Sequence, residues 1–376
     1  GAVIVVLVHN IPYKWFQVFP VFLLPISIGL LAFVMLMGFI TGDRVNGAAR
    51  WMTFMGLQFQ PSELAKMAVI IAVSFILSKK QDEYGANPKA FKYIMILTGL
   101  VLLLIAPENL STAMLLFGVV FLMMFIGRVA ARKLLMLVGS LGLVGAVGVV
   151  FLLAIPKDSD IPFLHRFDTW KSRIVNFTEK EEVPAAKFDI DKDAQIAHAR
   201  IAIATSNVVG KAPGNSVQRD FLSQAFSDFI FAIIIEELGL VGGIFVVCLY
   251  IWLLVRAGRI AQKCERTFPA FLVMGIALML VSQAILNMMV AVGLFPVTGQ
   301  PLPLISKGGT STLINCAYIG MILSVSRYTA YLEEQKERNA QLQMQTEATG
   351  TTEAQTAAEP TAQVLNSDAE FEEEKK

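Results

Sequence analysis

Apolar runs long enough to cross a bilayer recur along this chain, and they decide its architecture. They lie at about 16–40, 63–78, 91–106, 110–126, 134–155, 228–255, 268–292 and 302–326. A helix needs roughly 20 apolar residues to cross the hydrocarbon core, so the second and third runs read as thin or tilted spans. Lipid offers no partner to backbone N–H and C=O groups, and runs of this length satisfy them only as helices. Only 16% of the residues are charged, against roughly 25% in soluble domains, as a multi-pass membrane protein requires. The expected fold is all-α and polytopic, with eight complete transmembrane helices. Residues 2–8 are also apolar but too short to span. With no basic flank and no cleavage motif, they read as the end of a helix fragment that begins upstream, not as a signal peptide.

The loops between the runs alternate in character. One set is short and basic: Lys14, then Lys79, Lys80, Lys89 and Lys92, then Arg128, Arg132 and Lys133, then Arg256, Arg259, Lys263 and Arg266. The other set, around 41–62, 107–109, 157–227 and 293–301, is mixed or neutral. The positive-inside rule puts the basic set in the cytoplasm, so the large loop 157–227 is expected outside and the tail inside. Residues 1–332 form the expected transmembrane domain. The tail, 333–376, is rich in Glu, Gln, Thr and Ala and cannot bury a core, so disorder is expected there.

Other chemistries find little footing. A net charge of +1 gives no sign of nucleic-acid binding. Cys248, Cys264 and Cys316 lack disulfide or zinc spacing, and His9, His165 and His198 are scattered, so no disulfide framework, structural zinc site or histidine-built metal centre is expected. Phosphate-loop and dinucleotide fingerprints are missing, which argues against ATP-driven or nicotinamide chemistry.

Acids inside apolar runs are functional candidates, because an ionised side chain at bilayer depth costs at least about 2.5–3.5 kcal/mol. Asp228 opens the run SDFIFAIIIEELGLVGG, which also carries Glu236 and Glu237. As a helix N-cap or first-turn acid, Asp228 has a structural explanation; facing the polar loop, it also suits a reaction on a lipid-anchored substrate. On an unbroken helix Glu236 lies about 12 Å deeper and roughly 80° around from Asp228, with Glu237 on the opposite side. Both glutamates are therefore expected in structural ion pairs. Lys307, a cation in the last apolar run, is their natural partner.

Three other stretches carry candidate residues. In GDRVNGAARWMTFMGLQFQPSELAK, Pro61 and Ser62 start a helix on which Glu63 and Lys66 share a face. With Arg50 they form either a structural ion pair plus a snorkelling arginine, or a cationic clamp for an anionic headgroup. In the large loop, Arg166, Arg173 and Lys211 are candidate pyrophosphate contacts, although an ordered cap explains most of its charges. In LFPVTGQPLPLISKGGTSTL, prolines and glycines break the approach to the last span, and Ser306 and Lys307 lie at the break.

Together these stretches resemble the SEDS family (shape, elongation, division and sporulation), the RodA/FtsW-type proteins of bacterial wall synthesis. The resemblance rests on GAARWMTFMGLQFQPSELAK at 47–66, on Gly210, Lys211, Gly214, Asn215 and Ser216, and on DFIFAIIIEELG at 228–239. Asn287, PVTG at 296–299 and PLPLISKGGTS at 301–311 complete it, over roughly 10–330. Two departures stand out. Asn109 replaces an acid of the family's Pro-Asp-Leu-Gly-Thr-Ala, and Lys307 replaces the tyrosine of Ser-Tyr-Gly-Gly.

The resemblance implies ten spans in the full family fold, so this chain would be truncated at its start. It also implies polymerisation of lipid II in the bacterial inner membrane, with Asp228 as the essential acid. Asp228 would take the proton of the acceptor's 4-hydroxyl while undecaprenyl pyrophosphate leaves. Arg50, Glu63, Lys66, Arg173, Lys211, Ser306 and Lys307 would bind the substrate. A divalent cation, magnesium or manganese, is compatible with this chemistry, although no metal motif supports it. Implied partners are a class B penicillin-binding protein and the divisome or elongasome. The Lys307 variant and the long tail favour the division-type FtsW branch. The rival reading is a lipid II flippase, which would use the same acids and broken helices for alternating access; a non-catalytic scaffold is a third.

Overall fold

The computed structural model describes residues 1–40, 52–54, 57–82, 85–154, 193–222 and 225–373. The expectation of an all-helical membrane protein holds. In chain order the helices are α1 (Ala2–Asn10), α2 (Tyr13–Phe16), α3 (Phe19–Ile40), α4 (Pro61–Lys79), α5 (Pro88–Ile105) and α6 (Leu110–Ile126). After them come α7 (Ala131–Ala154), α8 (Asp193–Ala204), α9 (Ile230–Lys263), α10 (Thr267–Ala291) and α11 (Thr310–Glu373). Two short antiparallel hairpins flank α4: β1 (Met52–Phe54) pairs with β2 (Leu57–Phe59), and β3 (Gln81–Asp82) with β4 (Gly85–Ala86).

Six helices among the described residues are long and apolar enough to cross a membrane. Two of the expected spans fall short for identifiable reasons. Helix α6 has only 17 residues. The run at 302–326 divides, because 301–309 is loop and α11 starts at Thr310 with Ser311, Thr312 and Asn315 in its opening turns.

The chain forms two units, Gly1–Val325 and Ser326–Lys376. In the second, α11 continues through Glu373. Its Glu, Gln, Ala and Lys residues favour helix locally, and Arg338 pairs with Glu334 one turn away at 3.2 Å.

In the first unit α4 and α10 are the buried centre. Helix α4 packs against α3, α5, α6 and α10, and α9 lies along α10. Pro61 begins α4 as its spacing predicts, but Gln60 is the N-cap and Ser62 sits inside the first turn with its hydroxyl buried. Phe231, Ala232 and Ile235 of α9 meet Val281, Ala284 and Met288 of α10, with Ala199 and Ala202 of α8 closing the cluster. By contrast, only 6% of the α7 window Ala131–Gly148 is buried, so its apolar side chains suit contact with lipid.

Helix α9 is not continuous. Gly239 has φ 72 and ψ −172, a conformation essentially reserved for glycine, and it divides α9 into 230–238 and 240–263. The break frees backbone groups that the preceding loop satisfies. The Lys211 amide donates to the Glu236 carbonyl at 3.0 Å, and the Leu240 amide donates to the Asn207 carbonyl at 3.3 Å. Gly210, at φ 80, touches Gly239 main chain to main chain; a Cβ on Gly239 would lie 2.2 Å from the Val208 oxygen. Residues 240–263 alone span about 36 Å at 1.5 Å per residue, enough to cross a core of about 30 Å. Glu236 and Glu237 precede the break, so the crossing does not require them at mid-bilayer, as an unbroken helix would.

Gly239→Ala is expected to lower unfolding free energy by at least about 3 kcal/mol, from the forbidden backbone angle plus the clash. Gly142→Ala, on the exposed face of α7 with nothing within 4 Å of a new Cβ, should be neutral or mildly stabilising. Thermal unfolding of both variants in detergent checks the contrast.

Candidate active site

Asp228 is half-buried in the turn before α9, two residues ahead of its first helical residue. The N-cap of α9 is Phe229, so Asp228 stands one residue before the N-cap position of that helix. Against Asp228 lies the segment 294–309, which joins α10 to α11. A Cβ built on Gly299 (φ 67) would sit 3.7 Å from Asp228 Oδ2, so the carboxylate faces a position with no side chain.

Hydrogen bonds tie this segment to the turn and to the helices beneath it. Ser306 Oγ donates to the Ser227 carbonyl and accepts from the Leu302 amide. The Lys307 amide donates to the Phe226 carbonyl at 2.8 Å. Tyr250 of α9 donates its hydroxyl to the Pro303 carbonyl. Gln300 Nε2 donates to Thr112 Oγ1 at 2.8 Å, and Asn109, the N-cap of α6, accepts from the Thr112 amide at 3.2 Å. The Asn109 that departs from the family pattern therefore has a local capping role.

Helix α10 supplies the base. Gln283 and Asn287, one turn apart and both buried, face the segment. Gln283 Nε2 donates to the Pro301 carbonyl at 3.0 Å. Asn287 Nδ2 donates to the Gln300 carbonyl and to the Asp228 carbonyl, each at 2.8 Å. Gln283 Oε1 in turn accepts from Lys66 Nζ at 3.0 Å, and Lys66 pairs with Glu63 at 2.7 Å. Both charged side chains are nearly inaccessible, 1% for Lys66 and 3% for Glu63. Of the two alternatives for this pair, the geometry is that of a buried ion pair, linked to Asp228 through the two carboxamides of α10.

The remaining candidates are dispersed. Arg50, Arg166 and Arg173 lie outside the described residues. The expected pairing of a glutamate with Lys307 is corrected. Lys307 is exposed in the loop before α11, whereas Glu236 is fully buried and pairs with Lys211 at 2.7 Å. Glu236 also accepts from Ser216 Oγ and from the amides of Val217 and Gln218 at 3.2 and 3.3 Å. The cause is the break at Gly239, which brings 207–218 alongside the helix. Glu237, also expected in an ion pair, is half-buried with no salt bridge among the described residues. Lys211, read as a pyrophosphate contact, spends its ammonium on Glu236 and on Thr205 at 3.2 Å. On α8, His198 Nδ1 lies 2.6 Å from Gln218 Oε1 and its ring stacks on Phe221.

Thr112, Gln283 and Gln300 were not singled out from sequence, and Asn287 entered only through the resemblance. A visible signal existed: Gln283 and Asn287 are carboxamides spaced i, i+4 inside an apolar helix, where polar side chains need partners. A small cleft of about 20 Å³ lies between α3, α4 and the end of α5. Leu31, Val34, Leu104 and Ile105 line its apolar part, and Ser62, Glu108 and Asn109 its polar part. Among the described residues no group of three His, Cys, Asp or Glu gathers as a metal site.

Lys66→Met is expected to lower unfolding free energy by about 3–5 kcal/mol, because Glu63 is left buried without its partner. Combining it with Glu63→Gln should recover most of the loss, which denaturant titration of the single and double variants measures.

Residues 1–331 match the sequence profile of the FtsW/RodA/SpoVE family, described as cell cycle proteins. A probable peptidoglycan glycosyltransferase FtsW from Trichlorobacter lovleyi is 33% identical, over 87% of this chain and 80% of that one. Its counterpart from Geobacter metallireducens is 31% identical over 87% and 82%. Among solved structures, a peptidoglycan synthase complex that coordinates polymerization and crosslinking aligns with TM-score 0.68 and 26% identity, covering 88% of this chain and 87% of that one. The rod shape determining protein RodA of Thermus thermophilus aligns with TM-score 0.58 and 25% identity, covering 87% and 84%. The profile match over 1–331 and relatives above 30% identity across most of both chains show that the chain belongs to the FtsW/RodA/SpoVE family.

Proposed function

We propose that this protein is an inverting peptidoglycan glycosyltransferase that polymerises lipid II in the bacterial inner membrane, with its C-terminus in the cytoplasm. The observation that carries the reading is the half-buried Asp228 carboxylate, held against Gly299 on a buried polar scaffold at one end of the bundle. The acceptor sugar's 4-hydroxyl attacks the anomeric carbon of the donor. The new C–O bond forms as the anomeric carbon–phosphate oxygen bond breaks, and undecaprenyl pyrophosphate leaves. Asp228 takes the hydroxyl proton as general base.

The leaving pyrophosphate concentrates negative charge and needs a cation. Lys66 and Lys211 are already paired with Glu63 and Glu236. Lys307 is exposed, and its backbone is bonded to Phe226, two residues before Asp228. This supports Lys307 as a cation for the leaving group, with Ser306 as its anchor. Arg50 and Arg173 stay as further phosphate contacts in this proposal. A magnesium or manganese ion is compatible with the pyrophosphate, but the described carboxylates form no cluster to hold it, and no step is routed through it.

The structural relative is a synthase complex that couples polymerization to crosslinking, which supports a class B penicillin-binding protein as partner, within the divisome or elongasome. The curated relatives bear glycosyltransferase names, which favours a polymerase over a lipid II flippase.

Asp228→Asn is expected to cut polymerisation of purified lipid II by about 10²–10⁴-fold while lipid II binding persists. Full-length glycan from that variant would remove Asp228 from the mechanism, and translocation of lipid II in liposomes without polymer would favour the flippase. Lys307→Met should lower kcat/KM about tenfold, the equivalent of one charged hydrogen bond.

A further inference from the structure

We infer that Asn287 is a positioning residue for the reaction: its carboxamide brackets the gap in which the Asp228 carboxylate works. The inference rests on the glycosyltransferase reading and assigns to it a residue outside the carboxylate and cations already discussed.

The geometry is specific. One Nδ2 group donates to two main-chain carbonyls from segments far apart in sequence, Asp228 before α9 and Gln300 after α10. Its two protons are thereby both used. Gly299, next to Gln300, is the residue that the Asp228 carboxylate faces. Asn287 thus fixes the main chain on both sides of that gap, from a rigid, buried helix. Gln283, one turn earlier, makes the parallel bond to Pro301 and is itself held by Lys66. Successive carbonyls of the segment, Gln300 and Pro301, are therefore read by two carboxamides on one face of α10.

A simple packing role fits less well. Asn287 Oδ1 is buried and has no hydrogen-bond partner among the described residues. An orphaned buried acceptor is costly, so a residue chosen for stability alone would not be expected to carry one. The side chain accepts that cost to aim both donors at the bracket. Its two neighbours in the bracket belong to the turn and segment that carry Asp228 and Gly299, and not to a helix end in need of a cap.

Displacing a reacting group by about 1 Å can cost about a hundredfold in rate while leaving substrate binding intact. Lipid II polymerisation by the purified protein therefore separates positioning from folding. Asn287→Leu keeps the volume and removes both donors. Asn287→Ser keeps a single hydroxyl donor, which can serve only one carbonyl at a time. With rates normalised to folded protein from size-exclusion profiles and thermal melts, kcat is expected to fall about a hundredfold in Asn287→Leu and about tenfold in Asn287→Ser. KM for lipid II should stay within about threefold, because the lost interaction acts on the reacting group and not on the bound lipid.

Wild-type kcat in folded Asn287→Ser and Asn287→Leu overturns the inference. So does a loss of rate that merely tracks the loss of folded protein, or a KM that rises in step with the fall in kcat/KM. If Asn287→Leu does not fold, wild-type kcat in Asn287→Ser alone is enough to overturn it. Inactivity of the wild-type protein on lipid II overturns the glycosyltransferase reading itself, and this inference with it; an active wild type with active variants overturns only the inference.

Discussion

A polar group taken into an apolar bundle must find a partner there, and this requirement organises the end of the molecule that holds Asp228. The buried Lys66 ammonium is answered by Glu63 and by Gln283. Gln283 then reaches Pro301, and Asn287 reaches Gln300 and Asp228. Each bond satisfies one group and fixes the next. The result is a continuous polar path from the start of α4, across α10, to the turn before α9. Helices that would otherwise share only side-chain packing are thereby locked at the depth of the candidate site.

The second polar system has a different task. Glu236 gathers Lys211, Ser216 and two backbone amides, and it draws 207–218 onto α9. A carboxylate with that many donors serves poorly as a proton acceptor, because its lone pairs are occupied. Asp228 is held through its backbone and faces a glycine. Two acids only eight residues apart therefore sit in different settings: the Glu236 carboxylate is tied to Lys211 and Ser216, and the Asp228 carboxylate lies against Gly299.

Much of this was legible in the residues, and the limits were physical. Apolar length located α3, α4, α5, α7, α9 and α10, and Pro61 marked the start of α4 to the residue. The i, i+3 spacing of Glu63 and Lys66 put them on one face. The break at Gly239 was not legible. LGLVGG reads as lipid-exposed helix, and only the backbone contact from Gly210 makes the glycine conformation worth adopting. Lys307 was assigned to a span because hydropathy runs on through 302–309, whereas the prolines there keep the segment out of helix. Gln283 and Asn287 stood in plain sight as paired carboxamides, but their partners are main-chain carbonyls, which have no signature in an amino-acid string.

The seam between 207–211 and the break in α9 is made of main-chain groups, while Val208 and Val209 turn their side chains outward. Beyond the Lys211–Glu236 ion pair, such a junction depends little on the side chains that flank it, provided both glycines remain. The outward surface of this segment is therefore open to sequence drift and to adaptation toward different neighbours, while the docking of loop on helix stays unchanged underneath.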